Sequence, residues 1–213
     1  MNPYAFPHKG LRNAISQLVM TAGSANSSDA DSLTKLKALA EEVFSILEHH
    51  SHSEESVTLP ALEAKVVGST VANVEEHKEL EEEIEKLRNH LKGMDVDSGP
   101  DKFSEFYAAI SGFNSRYLNH MEMEETKMNT LIWSNFTDEE LMGQHGQIMS
   151  KMSPEITSMM LKYIVPALNH AERSVIMGGL KANAPVPFYE SVMDVLSGIM
   201  ATNDYQKMTA AIS

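Results

Sequence analysis

Two pairs of residues in this sequence have the types and the spacing that bind metal ions. His50 precedes Glu54 by four residues, and His120 precedes Glu124 by the same interval. Since four residues advance an α-helix by about 400°, the two members of each pair lie on one helix face. Imidazole nitrogen and carboxylate oxygen are ligands that divalent transition metals accept. Each pair therefore predicts part of a metal site.

Two further histidines repeat this arrangement along the chain. His8 precedes His50 by 42 residues, and His77 precedes His120 by 43. In antiparallel helices, a histidine near the start of one helix lies level with a histidine near the end of the next. The sequence therefore predicts two similar halves of one metal site, each with two histidines and one glutamate. Both halves lie at the same level of the fold. The predicted metal ligands are His8, His50, Glu54, His77, His120 and Glu124.

The elements that must position these residues are helices. Apolar residues recur at steps of three and four, whereas alternating β-branched runs are hard to find. The pattern predicts helices at about residues 7–22, from Leu36 towards Pro60, from Val71 to Leu91, and from Phe103 to about Trp133. Four such helices with short connections favour an all-α, up-down-up-down four-helix bundle. The four histidines lie on the inward stripes of these helices.

Burial of so many polar groups needs compensation. An unpartnered buried imidazole or carboxylate costs several kcal/mol, which is large beside a net stability of about 5–15 kcal/mol. A pair of divalent metals bridged by carboxylates would supply that compensation. The alternative is a hydrogen-bonded network of the same histidines and glutamates. The number of such groups in one layer favours metal.

The remaining histidines fit the inward stripes less well. His49, His52, His90 and His145 are predicted at the surface, and the position of His170 stays open. Glu81 lies one turn after His77 and could be a further ligand. It belongs to an acidic run, however, and such runs usually face solvent.

The chain beyond the fourth helix also carries helix signals. Thr137 with Glu140 forms a capping box pattern, and Ser153 is followed by proline at the first helical position. We therefore predict two domains: residues 1–135 form the metal-binding bundle, and residues 136–213 form additional C-terminal helices that pack on the bundle.

Composition narrows the classes of partner. Thirty acidic against 17 basic residues give a formal charge of −13, which repels nucleic acid and anionic membrane surfaces. The chain has no cysteine, so thiolate sites and disulfides are excluded and a reducing compartment is allowed. No apolar stretch approaches the ~20 residues of a membrane span. The expected location is the cytoplasm, with no nucleic-acid or membrane partner.

These motifs together resemble the hemerythrin-like family, also called the HHE cation-binding domains. The resemblance extends over residues 1 to about 133. It rests on His8-Lys9-Gly10-Leu11-Arg12, on His50 to Glu54 followed by Glu55 and Leu59-Pro60-Ala61-Leu62, on Glu76-His77, and on His120-Met121-Glu122-Met123-Glu124-Glu125.

The resemblance implies a non-haem di-iron centre, although the donors alone would also accept zinc or manganese. Classical oxygen carriers of the family have a His-x-x-x-His pair on the third helix and an aspartate on the fourth. This chain has Asn73 four residues before His77, and Glu124 in place of the aspartate. It is nearer to the His/Glu members of the family than to the reversible oxygen carriers.

Three functions follow from this interpretation. The first is a di-iron binding protein without turnover, which senses, stores or buffers iron or a small ligand such as dioxygen, nitric oxide or peroxide. The second is a di-iron oxidase or peroxidase, which needs a substrate pocket beside the metals. The third is a purely structural metal. The sequence favours the first, because it contains no second acid–base constellation.

Overall fold

Helices form nearly all the secondary structure of the computed structural model, which describes residues 1–212. No β-strand occurs in that range. The helices are α1 (Ala5–Ser24), α2 (Ala30–Ser53), α3 (Leu59–Lys65), α4 (Val71–Lys92), α5 (Gly99–Met123), α6 (Asn129–Asn135), α7 (Asp138–Lys151), α8 (Pro154–Ala167), α9 (His170–Asn183), α10 (Val186–Ile199) and α11 (Thr202–Ala211).

The predicted all-α bundle with additional C-terminal helices is confirmed. Its four long helical runs are α1, α2 with α3, α4, and α5 with α6. The capping box at Thr137 forms, with the Thr137 amide donating to the Glu140 carboxylate and the Glu140 amide donating to the Thr137 hydroxyl. The Ser153 hydroxyl likewise caps α8. None of the helices within residues 1–212 is long and apolar enough to span a bilayer.

Two π-helical turns interrupt the long runs, and the sequence pattern did not predict them. The first covers Glu54–Thr58 and joins α2 to α3, and the second covers Glu124–Met128 and joins α5 to α6. In each turn the amide five residues on, of Leu59 or Asn129, donates to the carbonyl of the starting glutamate. Such turns occur frequently at functional sites, and both of these begin at a predicted ligand.

Pro60 follows the first π turn directly. Proline has no amide proton, so it cannot donate to the carbonyl four residues earlier, which belongs to Ser56. The Lys151 ammonium group lies 3.4 Å from that carbonyl oxygen and donates to it. The helix predicted from Leu36 towards Pro60 therefore continues past Pro60, with a change of helix type on the way.

The described residues divide into two compact units. One contains residues 1–5 and 14–151, and the other contains residues 6–13 and the described residues from 152 onward. The predicted boundary after residue 135 and the packing of the extension on the bundle stay predictions.

The first unit has an apolar interior on both sides of its polar layer. Its buried side chains include Leu36, Val43 and Phe44 on α2, and Phe106 and Phe113 on α5. A second buried cluster follows the π turns and contains Tyr4, Leu59, Leu62, Met128, Ile132 and Leu141. The predicted inward stripes therefore form the core, except at the start of α4, where Val71 and Val74 are exposed.

The second unit packs part of α1 against the C-terminal helices. The Lys9 ammonium group lies 2.6 and 2.7 Å from the two carboxylate oxygens of Glu172, and the Asn13 side chain donates to the Tyr163 carbonyl. Gly10 lies between them, facing Ile164 of α8. A Cβ atom at residue 10 would meet the Ile164 side chain and lie 3.0 Å from the Ile164 Cα. Only glycine allows this approach.

We predict that Gly10→Ala destabilises the protein by about 1–3 kcal/mol, because the added methyl group overlaps with backbone as well as side chain. Gly179→Ala on α9 is the matched control, since no atom lies within 4 Å of a Cβ placed there. The control should gain about 0.5–1 kcal/mol from helix propensity. Chemical denaturation followed by circular dichroism measures both, and equal effects would contradict the close packing at Gly10.

Candidate metal centre

The residues predicted as ligands are all buried. His50, Glu54, His77, His120 and Glu124 are at most 6% exposed, and they lie in the first unit. His8 is fully buried in α1, within the part of that helix that belongs to the second unit. Its place among the ligands stays a prediction.

Glu54 lies between two of the histidines. One carboxylate oxygen of Glu54 is 3.4 Å from His50 Nε2, and the other is 3.3 Å from His77 Nε2. Since His50 is on α2 and His77 is on α4, this carboxylate spans two helices. It has the position that a bridging ligand requires.

Glu124 has the equivalent position in the second half-site. Its Oε1 atom is 3.2 Å from His120 Nε2 and 3.5 Å from His77 Nε2. The donor atoms of His50, Glu54 and Glu124 all lie within 4.8 Å of one another, and so do those of His77, His120 and Glu124. Glu124 is thus common to two candidate groups.

Two carboxylates that sequence periodicity did not identify contact the outer nitrogens of these histidines. Glu55 lies 3.2 Å from His77 Nδ1, and Glu76 lies 3.0 Å from His120 Nδ1. Carboxylates in such positions orient a ligating imidazole and raise its basicity. Each is adjacent in sequence to a predicted ligand, so its side chain leaves the helix about 100° away and reaches a histidine on the neighbouring helix.

Asn73 is the third polar residue that the pattern did not place in the site. It lies on α4, one turn before His77, and is 1% exposed. Its side-chain amide donates to Glu124 Oε1 over 2.8 Å. The residue that departs from the classical family pattern therefore contacts a predicted ligand directly.

The buried carboxylates dominate the electrostatics of the site. Burial lowers the pKa of His77, but contacts with Glu124 and Glu54 outweigh it and raise the pKa to about 10. For His120, burial likewise lowers the pKa, but contacts with Glu124 and Glu76 outweigh it and raise the pKa above its usual value. Burial, assisted by Glu54 and Glu124, raises the pKa of Tyr4 and Tyr117 well above the usual value. The site favours positive charge.

The donor set fits a transition metal. Although His77 Nε2 and His120 Nε2 are buried close to carboxylates, neither forms a hydrogen bond of normal geometry within the described part of the chain. Two donors on one metal ion, with bonds of about 2.0–2.2 Å, are at most about 4.4 Å apart. The four imidazole–carboxylate distances of 3.2–3.5 Å lie within that limit. A cation between these groups would satisfy the nitrogens.

The other candidates lie outside the site. His52, His145 and His170 are exposed, whereas His49 and His90 are half-buried. The half-buried His90 packs its ring against Phe106 and contacts the Lys102 carbonyl. Glu81 is exposed and accepts a hydrogen bond from the Ser51 hydroxyl over 3.2 Å, in agreement with the solvent-facing alternative.

A helical bundle with buried His/Glu donor groups defines a class of cation-binding proteins. Residues 5–132 match the Hemerythrin HHE cation binding domain. Because the match covers more than half of the chain, the protein belongs to that family, and the sequence-based assignment is confirmed.

One curated relative is the zinc finger protein BRUTUS-like of Arabidopsis thaliana. It is 22% identical over 184 residues, which cover 85% of this chain and 15% of the relative. The chain therefore spans a small part of that protein. No solved structure matches the chain at a significant level.

We predict that Glu76→Gln weakens metal binding by about 10- to 100-fold, because an outer carboxylate orients its histidine and raises its basicity. Glu82→Gln removes an exposed carboxylate from the same helix and should leave the metal affinity unchanged. Competition with a chelator of known affinity measures both proteins. Equal affinities would exclude a role for Glu76 in positioning His120.

Proposed function

We propose that the protein binds two iron ions in the core of the bundle, through His8, His50, Glu54, His77, His120 and Glu124. The observation that carries the proposal is the shared position of Glu124, whose carboxylate belongs to two groups of candidate donors. One carboxylate serving two groups is the arrangement expected of two closely spaced cations. Glu54, with one oxygen near each of two histidines, supports the same nuclearity.

The buried charges of the first unit support bound cations. Glu54 and Glu124 contribute two negative charges at the centre, whereas Glu55 and Glu76, at the outer histidine nitrogens, are partly exposed. Since unbalanced buried charge is costly, the two central carboxylates favour occupation of the site by metal.

Iron is the metal that we propose for the site. Histidine and carboxylate donors that leave positions open are typical of non-haem iron, although zinc and manganese accept the same atoms. Bound iron would supply a place for a small ligand such as dioxygen, nitric oxide or peroxide. The protein would then sense, store or buffer iron or that ligand, and we place it in the cytoplasm.

The first test is metal analysis of the purified protein and its histidine variants. We expect about two iron ions per chain and an optical spectrum that changes between air and nitrogen. His50→Ala should weaken binding of one metal by at least about 100-fold, since loss of a ligand exceeds the effect of an outer carboxylate. His52→Ala, an exposed histidine two residues further along the chain, is the matched control. Equal metal loss from both variants would contradict the assignment.

The second test separates bridging ligands from terminal ones. Glu54→Ala and Glu124→Ala should each release both metals together, because a bridging carboxylate contacts both ions. His120→Ala should release one metal more readily than the other. Stepwise metal titration followed by elemental analysis makes the comparison, and retention of one metal at full affinity in Glu124→Ala would exclude the bridge.

A groove in the first unit favours the oxidase or peroxidase alternative. It has a volume of about 300 Å³, and Glu55, Leu59, Pro60, Glu63, Thr70 and Val74 line it. Glu55 also contacts His77, so the groove reaches a residue that touches the candidate ligands. Steady consumption of oxygen or peroxide by the iron-loaded protein would support an enzyme. A stoichiometric change that then stops would support a binding protein.

A further inference from the structure

The groove of the first unit ends at a residue that contacts the candidate metal centre. Its volume is about 300 Å³, and Glu55 is part of its lining. Glu55 Oε1 lies 3.2 Å from His77 Nδ1, and the other ring nitrogen of His77 lies 3.3 Å from Glu54. The Glu55 side chain is 36% exposed, whereas that of His77 is 1% exposed. Glu55 therefore lies at the boundary between solvent and the buried ligands.

The lining of the groove favours a cation. Besides Glu55 it contains a second carboxylate, that of Glu63, and its described residues include no lysine or arginine. Hydrogen bonds from the Gly68 amide and the Thr70 hydroxyl lower the pKa of Glu63, so this carboxylate is ionised at neutral pH. A cleft lined by charges of one sign raises the local concentration of the opposite ion and speeds its association.

The groove is large enough for a metal ion that keeps its water. One water takes about 30 Å³ in the liquid, so a cation with six waters needs about 200 Å³. The groove exceeds that volume. Removal of water from an ion is costly, and a groove that accepts the hydrated ion delays this cost until carboxylate and imidazole ligands are adjacent.

We infer that this groove is the route by which divalent metal ions enter and leave the buried centre, and that Glu55 receives the ion at its inner end. The inference rests on the proposed function, because it requires a metal bound through His77 and Glu54. Glu55 then both contacts the outer nitrogen of His77 and exchanges the ion with the ligands behind it. Glu76, which contacts His120 in the same way, does not line the groove and has only the first of these roles.

The first test blocks the groove. Val74 lines it and is 42% exposed, so Val74→Trp adds volume there without overfilling the core. Val71→Trp is the matched control, because Val71 is on the same helix, is 67% exposed and is not part of the lining. A route carries ions in both directions. Val74→Trp should therefore slow uptake and release by about tenfold each, a barrier increase of about 1.4 kcal/mol, and leave the dissociation constant unchanged.

Stopped-flow mixing of the full chain under nitrogen measures both rates with iron(II) as the probe. For uptake, metal-free protein is mixed with iron(II) and the remaining free metal is followed with a chromophoric chelator. For release, loaded protein is mixed with an excess of the same chelator. Circular dichroism of each variant confirms that it is folded.

The second test separates entry from the positioning of a histidine. Glu55 and Glu76 each contact the outer nitrogen of one histidine, but only Glu55 lines the groove. Glu76→Gln should weaken binding through faster release alone. Glu55→Gln should also slow uptake, by about three- to tenfold at low salt, as expected when a charged cleft loses a charge. Added salt should reduce this difference in uptake, because it screens exposed charges.

The outcomes distinguish this inference from the proposed function. If the parent protein takes up no metal, the proposed function fails. If the parent binds iron and Val74→Trp matches Val71→Trp in both rates, the proposed function survives and the entry route is wrong. Uptake that is faster in dilute denaturant and unaffected by Val74→Trp would indicate entry by local opening of the bundle, and would overturn the inference. Slower consumption of peroxide by Val74→Trp at unchanged metal uptake would assign the groove to a substrate, with the same consequence.

Discussion

Two carboxylates in the interior of a helical bundle impose the main physical constraint on this protein. Glu54 and Glu124 are at most 5% exposed, and an isolated buried carboxylate is far too costly to persist as an anion. Histidine Nε2 atoms lie 3.2–3.5 Å from carboxylate oxygens of both glutamates. Those imidazoles in turn require outer partners, which Glu55 and Glu76 supply. The polar layer thus has two carboxylates at its centre, imidazoles around them, and two further carboxylates outside the imidazoles.

The remainder of the first unit keeps this layer in place. Apolar side chains of α2 and α5 fill the bundle on one side, and the cluster around Leu59, Leu62 and Ile132 follows the π turns. The donor groups are therefore shielded from bulk solvent, and charge interactions are strong where the dielectric constant is low. That environment serves a metal-binding protein and an oxidative enzyme equally well, so ligand binding and turnover must be separated by measurement.

Sequence periodicity predicts the parts of this arrangement that repeat along a helix. The inward stripes gave the long helices and the burial of His50 and His120, because a side chain four residues on returns to the same face. It could not reveal Glu76 or Asn73, whose contacts depend on the distance between helices. Sequence periodicity also could not predict the two π turns. Each turn begins at a predicted glutamate ligand and changes the number of residues per helical turn there.

The π turns have a consequence for insertions and deletions. A single added residue in an α-helix rotates everything after it by about 100°, which normally turns a core face towards solvent. Here the π turn at Glu54–Thr58 accommodates one such residue, and Leu59 and Leu62 remain buried beyond it. Deletion of one residue from this turn would restore regular helix and leave those leucines facing the core. The two helical runs are therefore more tolerant of a one-residue deletion at the π turns than elsewhere, where the same deletion would rotate the following core residues by about 100°.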